Sequence, residues 1–204
     1  TVGWGVPEIM GADVVHAKKL VGDRYELYIP GSSVKGALRT AASRVAEAYN
    51  FTSCGEVEPS RIREAHERMK KENKICDVCS LFGYPDGAST IYVSDFKLVG
   101  TSYPVVVTRV SLNDKTLTAQ RGMLYSTQHL PPGTEFLGTI KLEDRANVPL
   151  LLLAMAELRT GKFGRRSVVD LKLEDGGVLD KLVPQDWRQL LNELRSWLWE
   201  EVVR

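Results

Sequence analysis

The sequence predicts an α+β protein: a ferredoxin-like (RRM-like) domain with insertions, a projecting β-hairpin thumb and a C-terminal helix. Residues 25–29 have strand character, and apolar residues then recur at helical spacing as far as Tyr49. A second helical pattern covers residues 149–160. The order strand, helix, strand, hairpin, strand, helix, strand fits this fold if a first strand precedes Thr1. We therefore expect a single domain over residues 1–204.

The first part of the chain predicts a loop, a strand and a helix. Thr1–Asp23 is rich in glycine and lacks a sustained period, so it predicts a loop with a short strand near Val14. Ser32 or Ser33 is expected to cap the helix that follows residues 25–29. Apolar residues three or four apart predict its buried face, namely Val34, Leu38, Ala41, Ala42, Val45 and Tyr49.

Residues 51–88 are predicted to form an insertion that contains cysteines. A charged helix is expected over residues 61–74, where opposite charges stand four apart along a solvated face. A tight, glycine-containing loop is expected over residues 76–87, and a strand over residues 90–98. The charged helix is expected to contribute little apolar surface to a core.

The second half of the chain predicts a hairpin and a C-terminal helix. Residues 105–112 and 122–129 have strand character and flank a polar stretch, so we expect a thumb-like hairpin over residues 105–130. The last segment, 184–204, carries three tryptophans on an amphipathic helix that packs on its own domain or forms a subunit interface. The other predicted elements are strands over 135–142 and 168–173 and the helix over 149–160.

Composition excludes several classes of protein. The chain has 27 Lys and Arg against 26 Asp and Glu, so its net charge of +1 creates no global attraction for nucleic acid. Any binding of RNA must therefore be local. No apolar run approaches the roughly 20 residues that a membrane helix needs. An odd count of three cysteines and the lack of a signal peptide predict a reducing, cytoplasmic location. Because the chain opens on Thr1, we expect residues to be missing before it.

The segment from Ile29 to Arg39 has the pattern of an anion-binding helix start. Gly31 permits a sharp turn, and Lys35 and Arg39 lie four apart on one helical face near its positive end. A well-capped helix with solvated cations is an equally weighted alternative. A nucleotide P-loop does not fit, because Lys35 is followed by Gly36 and not by a hydroxyl residue.

Cys76 and Cys79 have the spacing of a metal knuckle. Cys54 lies upstream, across the charged helix that carries His66, so three thiolates and one imidazole could complete a tetrahedral zinc site. Buried reduced thiols are the main alternative. A redox pair is less favoured, because no thioredoxin-like strand and helix surround the motif.

Two motifs together resemble the RAMP superfamily of CRISPR systems: Ile29-Pro-Gly-Ser-Ser-x-Lys-Gly-x-x-Arg39 and Cys76-x-x-Cys79-Ser-Leu-Phe-Gly83. Residues 131–136 resemble the family's late strand entry, and residues 109–119 resemble the start of its RNA-kinking thumb. The resemblance covers residues 3–170. It is closest to the repeating backbone subunit of type III effector complexes and to stand-alone archaeal relatives.

The resemblance implies partners and RNA contacts. Such subunits form homo-oligomeric filaments along guide RNA (crRNA), with target RNA and other CRISPR effector subunits as further partners. A thumb over residues 107–130 would displace one nucleotide, and a basic loop over residues 161–166 would follow the second helix. That loop could instead be a helix C-cap and a charged turn. The implied RNA-binding residues are Ser32, Ser33, Lys35, Arg39, Arg109, Arg121, Lys162, Arg165 and Arg166.

Asp13 matches the position at which cleaving members of the family carry an aspartate. Cleavage by the target's 2′-hydroxyl needs neutralised charge, so we assign Asp13 to holding Mg²⁺, with His16 as a possible helper. A turn-capping aspartate is the alternative. Three hypotheses follow: an RNA-guided endoribonuclease subunit, a non-catalytic structural or end-capping RNA-binding subunit, and a zinc-stabilised interaction module that binds no RNA.

Overall fold

The computed structural model describes residues 12–69, 75–164, 167–174 and 177–198, without the side chains of 120–123 and 195–196. Within these residues the chain is a mixed α+β protein with antiparallel sheets, consistent with the predicted fold class. Short 3₁₀ turns cover Glu47–Tyr49 and Gln185–Trp187. The elements are β1 (Lys18–Val21), β2 (Arg24–Ile29), α1 (Gly31–Val45), α2 (Pro59–Met69), α3 (Asp77–Phe82), β3 (Ile91–Val93), β4 (Phe96–Leu98), β5 (Val105–Leu112), β6 (Ala119–His129), β7 (Phe136–Leu137), β8 (Ile140–Leu142), α4 (Val148–Thr160), α5 (Leu179–Leu182) and α6 (Arg188–Leu198).

The described residues divide into two compact units, each built from separate stretches of chain. The first unit takes its described residues from 12–33, 94–139, 164 and 167. The second takes its described residues from 34–69, 75–93, 140–163, 168–174 and 177–198. The boundary therefore passes through the first turn of α1.

The first unit contains a four-stranded antiparallel sheet in the order β1-β2-β4-β7. Strand β1 lies where the sequence predicted a loop, so that prediction is wrong for Lys18–Val21. The strand forms because Val21 pairs with Arg24, which leaves a two-residue turn, and Gly22 takes a φ of +60° there. Two-residue hairpin turns require such left-handed residues, which glycine adopts without strain.

The predicted strands over 90–98 and 135–142 are each broken in two. Strand β4 pairs with β7 in the first unit, and β3 pairs with β8 in the second. Gly138 lies at one break, where an added Cβ would come within 2.4 Å of the Phe96 ring. At the other break, the Ser94 hydroxyl accepts a hydrogen bond from the Thr139 amide at 2.9 Å. At the two breaks, regular strand pairing gives way to the close approach of Gly138 to Phe96 and to a backbone and a side-chain hydrogen bond between Ser94 and Thr139.

The predicted hairpin is present as β5 and β6, paired from Val105↔His129 to Leu112↔Ala119 with an irregularity between Val110 and Leu112. At its tip, the Leu117 amide donates to the Asn113 carbonyl at 2.7 Å, and Leu117 has a φ of +54°. Leu117 is 78% exposed. The hairpin therefore ends in a bulky apolar side chain in contact with solvent.

Helix α1 begins at Gly31, two residues before the earliest start that a serine cap at Ser32 implies, and neither serine caps it. The amide of Gly31 donates to Asp95 Oδ1 at 3.0 Å, so a residue 64 positions away satisfies the first free amide. Ser32 and Ser33 lie inside the first turn. The helix also ends early, at Val45, which leaves Tyr49 exposed, so its predicted place on the buried face is wrong.

The core of the second unit is formed mainly by helices. Helix α4 buries most of its side chains, as its uniform apolar sequence predicted. Helix α3 occupies a segment predicted to be a loop; its first turn is capped by Cys76, whose sulfur accepts from the Cys79 amide. Fully buried side chains from several elements meet in this core, including Leu38, Leu81, Ile91, Leu150 and Leu198.

The predicted strand over residues 168–173 is absent. Two hydrogen bonds hold this segment in place of strand pairing, one to the side chain of Asp170 and one from the Leu173 amide. Asp170 accepts a hydrogen bond from Arg159, whose side chain is 1% exposed. The Leu173 amide donates to the carbonyl of Leu198, the last described residue of α6. Helix α6 buries Leu191, Leu194 and Leu198, whereas Trp197 is partly exposed; Trp199 and Val202 lie outside the described residues.

Among the helices that the structure describes, none combines the length and the apolar character required to cross a bilayer.

We predict that Asp95→Ala lowers the free energy of unfolding by about 0.5–2 kcal/mol at pH 7, the usual cost of losing an N-terminal cap. The hydrogen bond from Gly31, followed by the Lys19 ammonium at 3.3 Å, holds the pKa of Asp95 below its usual value. This stability is present above the unfolded pKa of about 3.9 and is lost as pH falls through the lower folded pKa. Urea unfolding at pH 7 and below pH 4 measures it.

Lys19→Met provides the matched control, because it removes the exposed ion pair and keeps the cap. It should cost at most about 1 kcal/mol. An Asp95→Ala deficit that stays constant as the pH falls below about 4 would contradict the assignment of the charged carboxylate as the cap.

Candidate metal centre and nucleic-acid surface

Four side chains of the second unit converge on one point. The ligand atoms of Cys54, His66, Cys76 and Cys79 all lie within 4.8 Å of one another. His66, Cys76 and Cys79 are buried, and Cys54 is half-buried. The sequence had placed these residues in one candidate site, and the structure brings all four together.

Three segments carry the four ligands: the stretch that contains Cys54, helix α2 and the start of α3. Hydrogen bonds between Thr52 and Asp77 form a clamp that positions the first and the third of these segments. The Asp77 carboxylate accepts from both the amide and the hydroxyl of Thr52 at 2.7 Å, and the Asp77 amide donates to that hydroxyl at 2.9 Å. This exchange fixes the segment that carries Cys54 beside the start of α3. The sequence reasoning missed the clamp, because Thr52 and Asp77 lie 25 residues apart in no recognisable motif.

Helix α2 supplies the fourth ligand. Its buried residues are Ile62 and His66, which lie four apart and therefore on one face. The ring of His66 meets the ring of Tyr84 edge-to-face at 5.3 Å. Its Nε2 atom is buried with no hydrogen-bond partner within the described part of the chain. An orphaned buried nitrogen is costly unless a ligand such as a metal ion uses it.

The pKa values of the two knuckle thiols, Cys76 and Cys79, are shifted in opposite directions. A hydrogen bond from Cys79, with a further contribution from His66, lowers the pKa of Cys76 to about 4. The same hydrogen bond, together with burial, raises the pKa of Cys79, against the opposing effect of the Arg39 charge. The surroundings therefore favour a thiolate at Cys76 and a thiol at Cys79, and a metal cation could take the place of the Cys79 proton.

The donor set fits a metal ion such as zinc. A tetrahedral site with Zn–S bonds of about 2.3 Å places its sulfurs about 3.8 Å apart. The sulfurs of Cys54 and Cys79 are 3.5 Å apart, so the required adjustment is small. Three thiolates and one imidazole form a closed site of the structural type, which supplies folding energy and has no position open for a substrate.

Helix α1 directs two predicted RNA-binding cations toward the segment that carries Cys76 and Cys79. Arg39 Nη1 donates to the Gly83 carbonyl at 2.6 Å, and Nη2 donates to Cys79 Sγ at 3.0 Å. Lys35 Nζ donates to Ser89 Oγ at 2.6 Å, and burial followed by the Arg39 charge lowers the pKa of Lys35. A phosphate contact by either cation would compete with these hydrogen bonds.

Asp13 lies beside the hairpin in the first unit. Its Oδ2 accepts a hydrogen bond from the Ser126 amide at 2.6 Å, and its side chain is exposed. The next residue, Val14, exchanges backbone hydrogen bonds with Ser126 and Gln128 and so pairs in parallel with β6. The short strand predicted near Val14 is thus present as a bridge, and it carries the predicted catalytic aspartate to the hairpin.

His16 follows Asp13 by three residues in the same segment, and its side chain is buried. Its amide donates to Gln128 Oε1 at 3.1 Å, whereas its Nε2 atom has no partner among the described residues. Burial, followed in part by the charge of His129, lowers the pKa of His16 to about 4. The imidazole is therefore neutral at pH 7 and a poor proton donor there.

The remaining predicted RNA-binding residues are spread over both units. Arg109 is half-buried on β5 opposite Tyr125, and Lys162 is exposed after α4. Phe163, in the predicted basic loop over residues 161–166, is buried and cannot stack on a base as it stands. Ser32 is exposed and Ser33 half-buried in the first turn of α1. Arg165, Arg166 and the side chain of Arg121 lie outside the described residues.

An α+β fold with a long hairpin and exposed cations defines a candidate RNA-binding protein. A family model of the RAMP superfamily matches residues 11–169, well over half of the 204 residues, and the chain belongs to that superfamily. This confirms the family that the two motifs indicated. It places the chain among CRISPR-associated RNA-binding proteins and implies RNA and CRISPR complexes as partners. A search of curated proteins gave no match.

We predict about one zinc ion per chain and its loss in Cys76→Ser, since zinc is bound by thiolate and not by a serine hydroxyl. Serine is a good helix cap, so the substitution keeps the acceptor for the Cys79 amide and isolates the ligand role. The loss of zinc affinity should exceed the roughly 10- to 100-fold cost of changes outside the metal shell. Metal content and competition with a chelator measure it.

Ser80→Ala, in the same helix α3 but without a ligand atom, should keep the metal. A chelator should also lower the melting temperature of the wild type and leave that of Cys76→Ser unchanged. Full zinc content in Cys76→Ser would remove this residue from the site.

Proposed function

We propose that the chain is a guide-RNA-binding subunit of a type III CRISPR effector complex, and that it cleaves bound target RNA beside Asp13. The observation that carries this proposal is the hydrogen bond at 2.6 Å between Asp13 Oδ2 and the Ser126 amide. It joins a candidate catalytic carboxylate to the hairpin that the family resemblance makes an RNA-bending element. The backbone of a bent RNA strand would then pass close to a carboxylate.

The hairpin has the surface expected of an element that inserts into RNA. Its apolar side chains face solvent on both sides of a two-stranded ribbon, which is unfavourable without a partner. Base faces exposed by unstacking provide such a partner, and Arg109 beside Tyr125 adds a cation and an aromatic ring suited to nucleotides. The exposed apolar residues are Val105, Val106, Val107, Val110, Leu112, Leu117 and Leu124.

Asp13 is suited to hold a divalent metal only together with RNA. One carboxylate is a minimal protein contribution for Mg²⁺, which commonly keeps waters and binds substrate phosphate oxygens. The bound ion would neutralise charge that develops on the scissile phosphate. Asp13 Oδ1 accepts no hydrogen bond within the described residues, so one oxygen of an exposed carboxylate is available for this contact. His16, neutral at pH 7, would remain outside the proton transfers.

The same hydrogen bond also favours the second candidate, a non-catalytic structural or end-capping subunit. An aspartate that binds a backbone amide at 2.6 Å can serve only to attach its loop to β6. In that case RNA binding persists and cleavage never depends on the Asp13 charge. The two candidates differ in the effect of an uncharged isostere.

We predict that Asp13→Asn abolishes target cleavage, by about 100-fold or more, while guide RNA affinity stays within twofold. Asparagine keeps an oxygen that can accept from the Ser126 amide but lacks the charge that holds Mg²⁺. Single-turnover cleavage of a labelled target by the assembled complex, with and without Mg²⁺, measures the effect. Asp23→Asn, in the turn between β1 and β2, is the matched control.

Wild-type cleavage by Asp13→Asn would remove Asp13 from the chemistry. If Asp13→Ala alone lost cleavage, the hydrogen bond to Ser126, and not the charge, would be the feature that matters.

We predict that Arg109→Gln and Lys162→Gln each weaken RNA binding and reduce the salt dependence by about 0.7 in the slope of log K against log salt. Filter binding of single-stranded guide RNA over a salt series measures it. Arg61→Gln is the control, because Arg61 lies on α2 and pairs with Glu58 at 3.2 Å. If the wild type retained no guide RNA even at low salt, where phosphate contacts are strongest, the result would instead support an interaction module without RNA.

A further inference from the structure

A cationic side chain reaches the metal cluster from α1. Arg39 donates through Nη2 to Cys79 Sγ at 3.0 Å and through Nη1 to the Gly83 carbonyl at 2.6 Å. Gly83 directly follows α3, the helix on which Cys79 lies. The guanidinium therefore binds one ligand sulfur and the end of the ligand-bearing helix at the same time.

The charge of a loaded site explains why a cation belongs there. Three thiolates, one neutral imidazole and Zn²⁺ sum to one negative charge. Three of the four ligands are buried, and an uncompensated charge is costly away from water. A guanidinium adds one positive charge, and its hydrogen bond to a thiolate is charge-assisted at both ends.

We propose that Arg39 is a positioning residue of the metal centre, which neutralises the excess charge of a Cys₃His zinc site and orients Cys79. This inference rests on metal binding by the four ligands and is independent of RNA binding. The sequence pattern assigned Arg39 to guide phosphates, and that assignment is the rival outcome of the test.

The shape of arginine matters as well as its charge. The planar fork presents separate N–H groups, and here two of them reach two acceptors of different kinds. Lysine would place a single ammonium and would have to give up one acceptor. Lys35, one turn earlier on α1, already binds Ser89 Oγ and the Ile91 carbonyl. The two positions thus attach α1 to successive parts of the segment that follows the metal knuckle.

The first experiment measures zinc affinity by competition with a chromophoric chelator. Arg39→Gln should bind zinc about 10- to 100-fold more weakly, the usual cost of losing a partner outside the metal shell. Arg39→Lys should recover part of this loss because it restores the charge. Arg44→Gln is the matched control: it removes the same charge from the same helix, where Arg44 is exposed and pairs with Glu157 at 3.7 Å.

The second experiment uses Co²⁺ in place of zinc. A hydrogen bond to a thiolate lowers the energy of its lone pairs, so losing the bond shifts the sulfur-to-cobalt charge-transfer band to longer wavelength. We expect this shift in Arg39→Gln at saturating cobalt and no shift in Arg44→Gln. A residue that merely stabilised the fold would leave the saturated spectrum unchanged.

Wild-type zinc affinity together with an unshifted cobalt spectrum in Arg39→Gln would overturn the proposal. If Arg39→Gln does not fold, Arg39→Lys decides by the same two measurements, because lysine cannot reproduce both hydrogen bonds. Filter binding of guide RNA by the same variants distinguishes the proposal from its rival, in which Arg39 contacts guide phosphates. Weaker, less salt-dependent RNA binding with unchanged zinc affinity would make Arg39 a phosphate contact, whereas weaker zinc affinity with intact RNA binding supports the proposal.

Discussion

The convergence of three thiols and one imidazole is the constraint on which the cysteine-containing segment depends. Its ligands come from three places: the stretch after α1, helix α2, and the start of α3. Helix α2 buries only Ile62 and His66, so apolar packing holds it weakly. The polar cluster therefore does for α2 what a hydrophobic core does elsewhere. A cation at its centre would satisfy every donor atom at once, including the orphaned His66 nitrogen.

Backbone hydrogen bonds, by contrast, hold the loop that carries Asp13. Val14 pairs with β6 in parallel, and the Asp13 carboxylate adds a bond to the Ser126 amide. The loop thus extends the hairpin by a partial third strand. This backbone pairing and the buried side chains of Ala12, Val15 and His16 fix its position, which explains how one exposed carboxylate can have a fixed location without a buried pocket.

Strong local patterns could be predicted from the sequence. The helical spacing of α1, the uniformly apolar α4, the hairpin of β5 and β6, and the four metal-site residues all rest on spacings within short windows or on a known motif. The prediction of a serine cap was wrong because Asp95, 64 residues away, accepts the hydrogen bond from the first amide of α1. The prediction of a strand over 168–173 was wrong because Asp170 pairs with Arg159, and the alternation of apolar and polar residues does not reveal such a partner. Helix α3 was missed because the Cys-x-x-Cys spacing suits a loop as well as a helical turn.

The breaks at Ser94 and Gly138 could not be predicted either, because they arise from contact between segments that are distant in sequence. A stretch of eight or nine residues with alternating apolar positions is compatible with one long strand as well as with two short ones. The close approach of Gly138 to Phe96 decides between them, and it exists only once β4 and β7 are paired. Pattern reasoning therefore identified the elements better than the sheets to which they belong.

The interleaving of the two units bears on how the protein emerges from the ribosome. The first unit needs described residues as far as Ser167, and the second needs α6, so neither can be completed until most of the chain has been made. Contacts between such distant segments form slowly and leave strand edges and apolar surface uncovered in the meantime. Synthesis in vivo would thus benefit from a holding chaperone or from early engagement with RNA, and no continuous fragment of the gene encodes either unit alone.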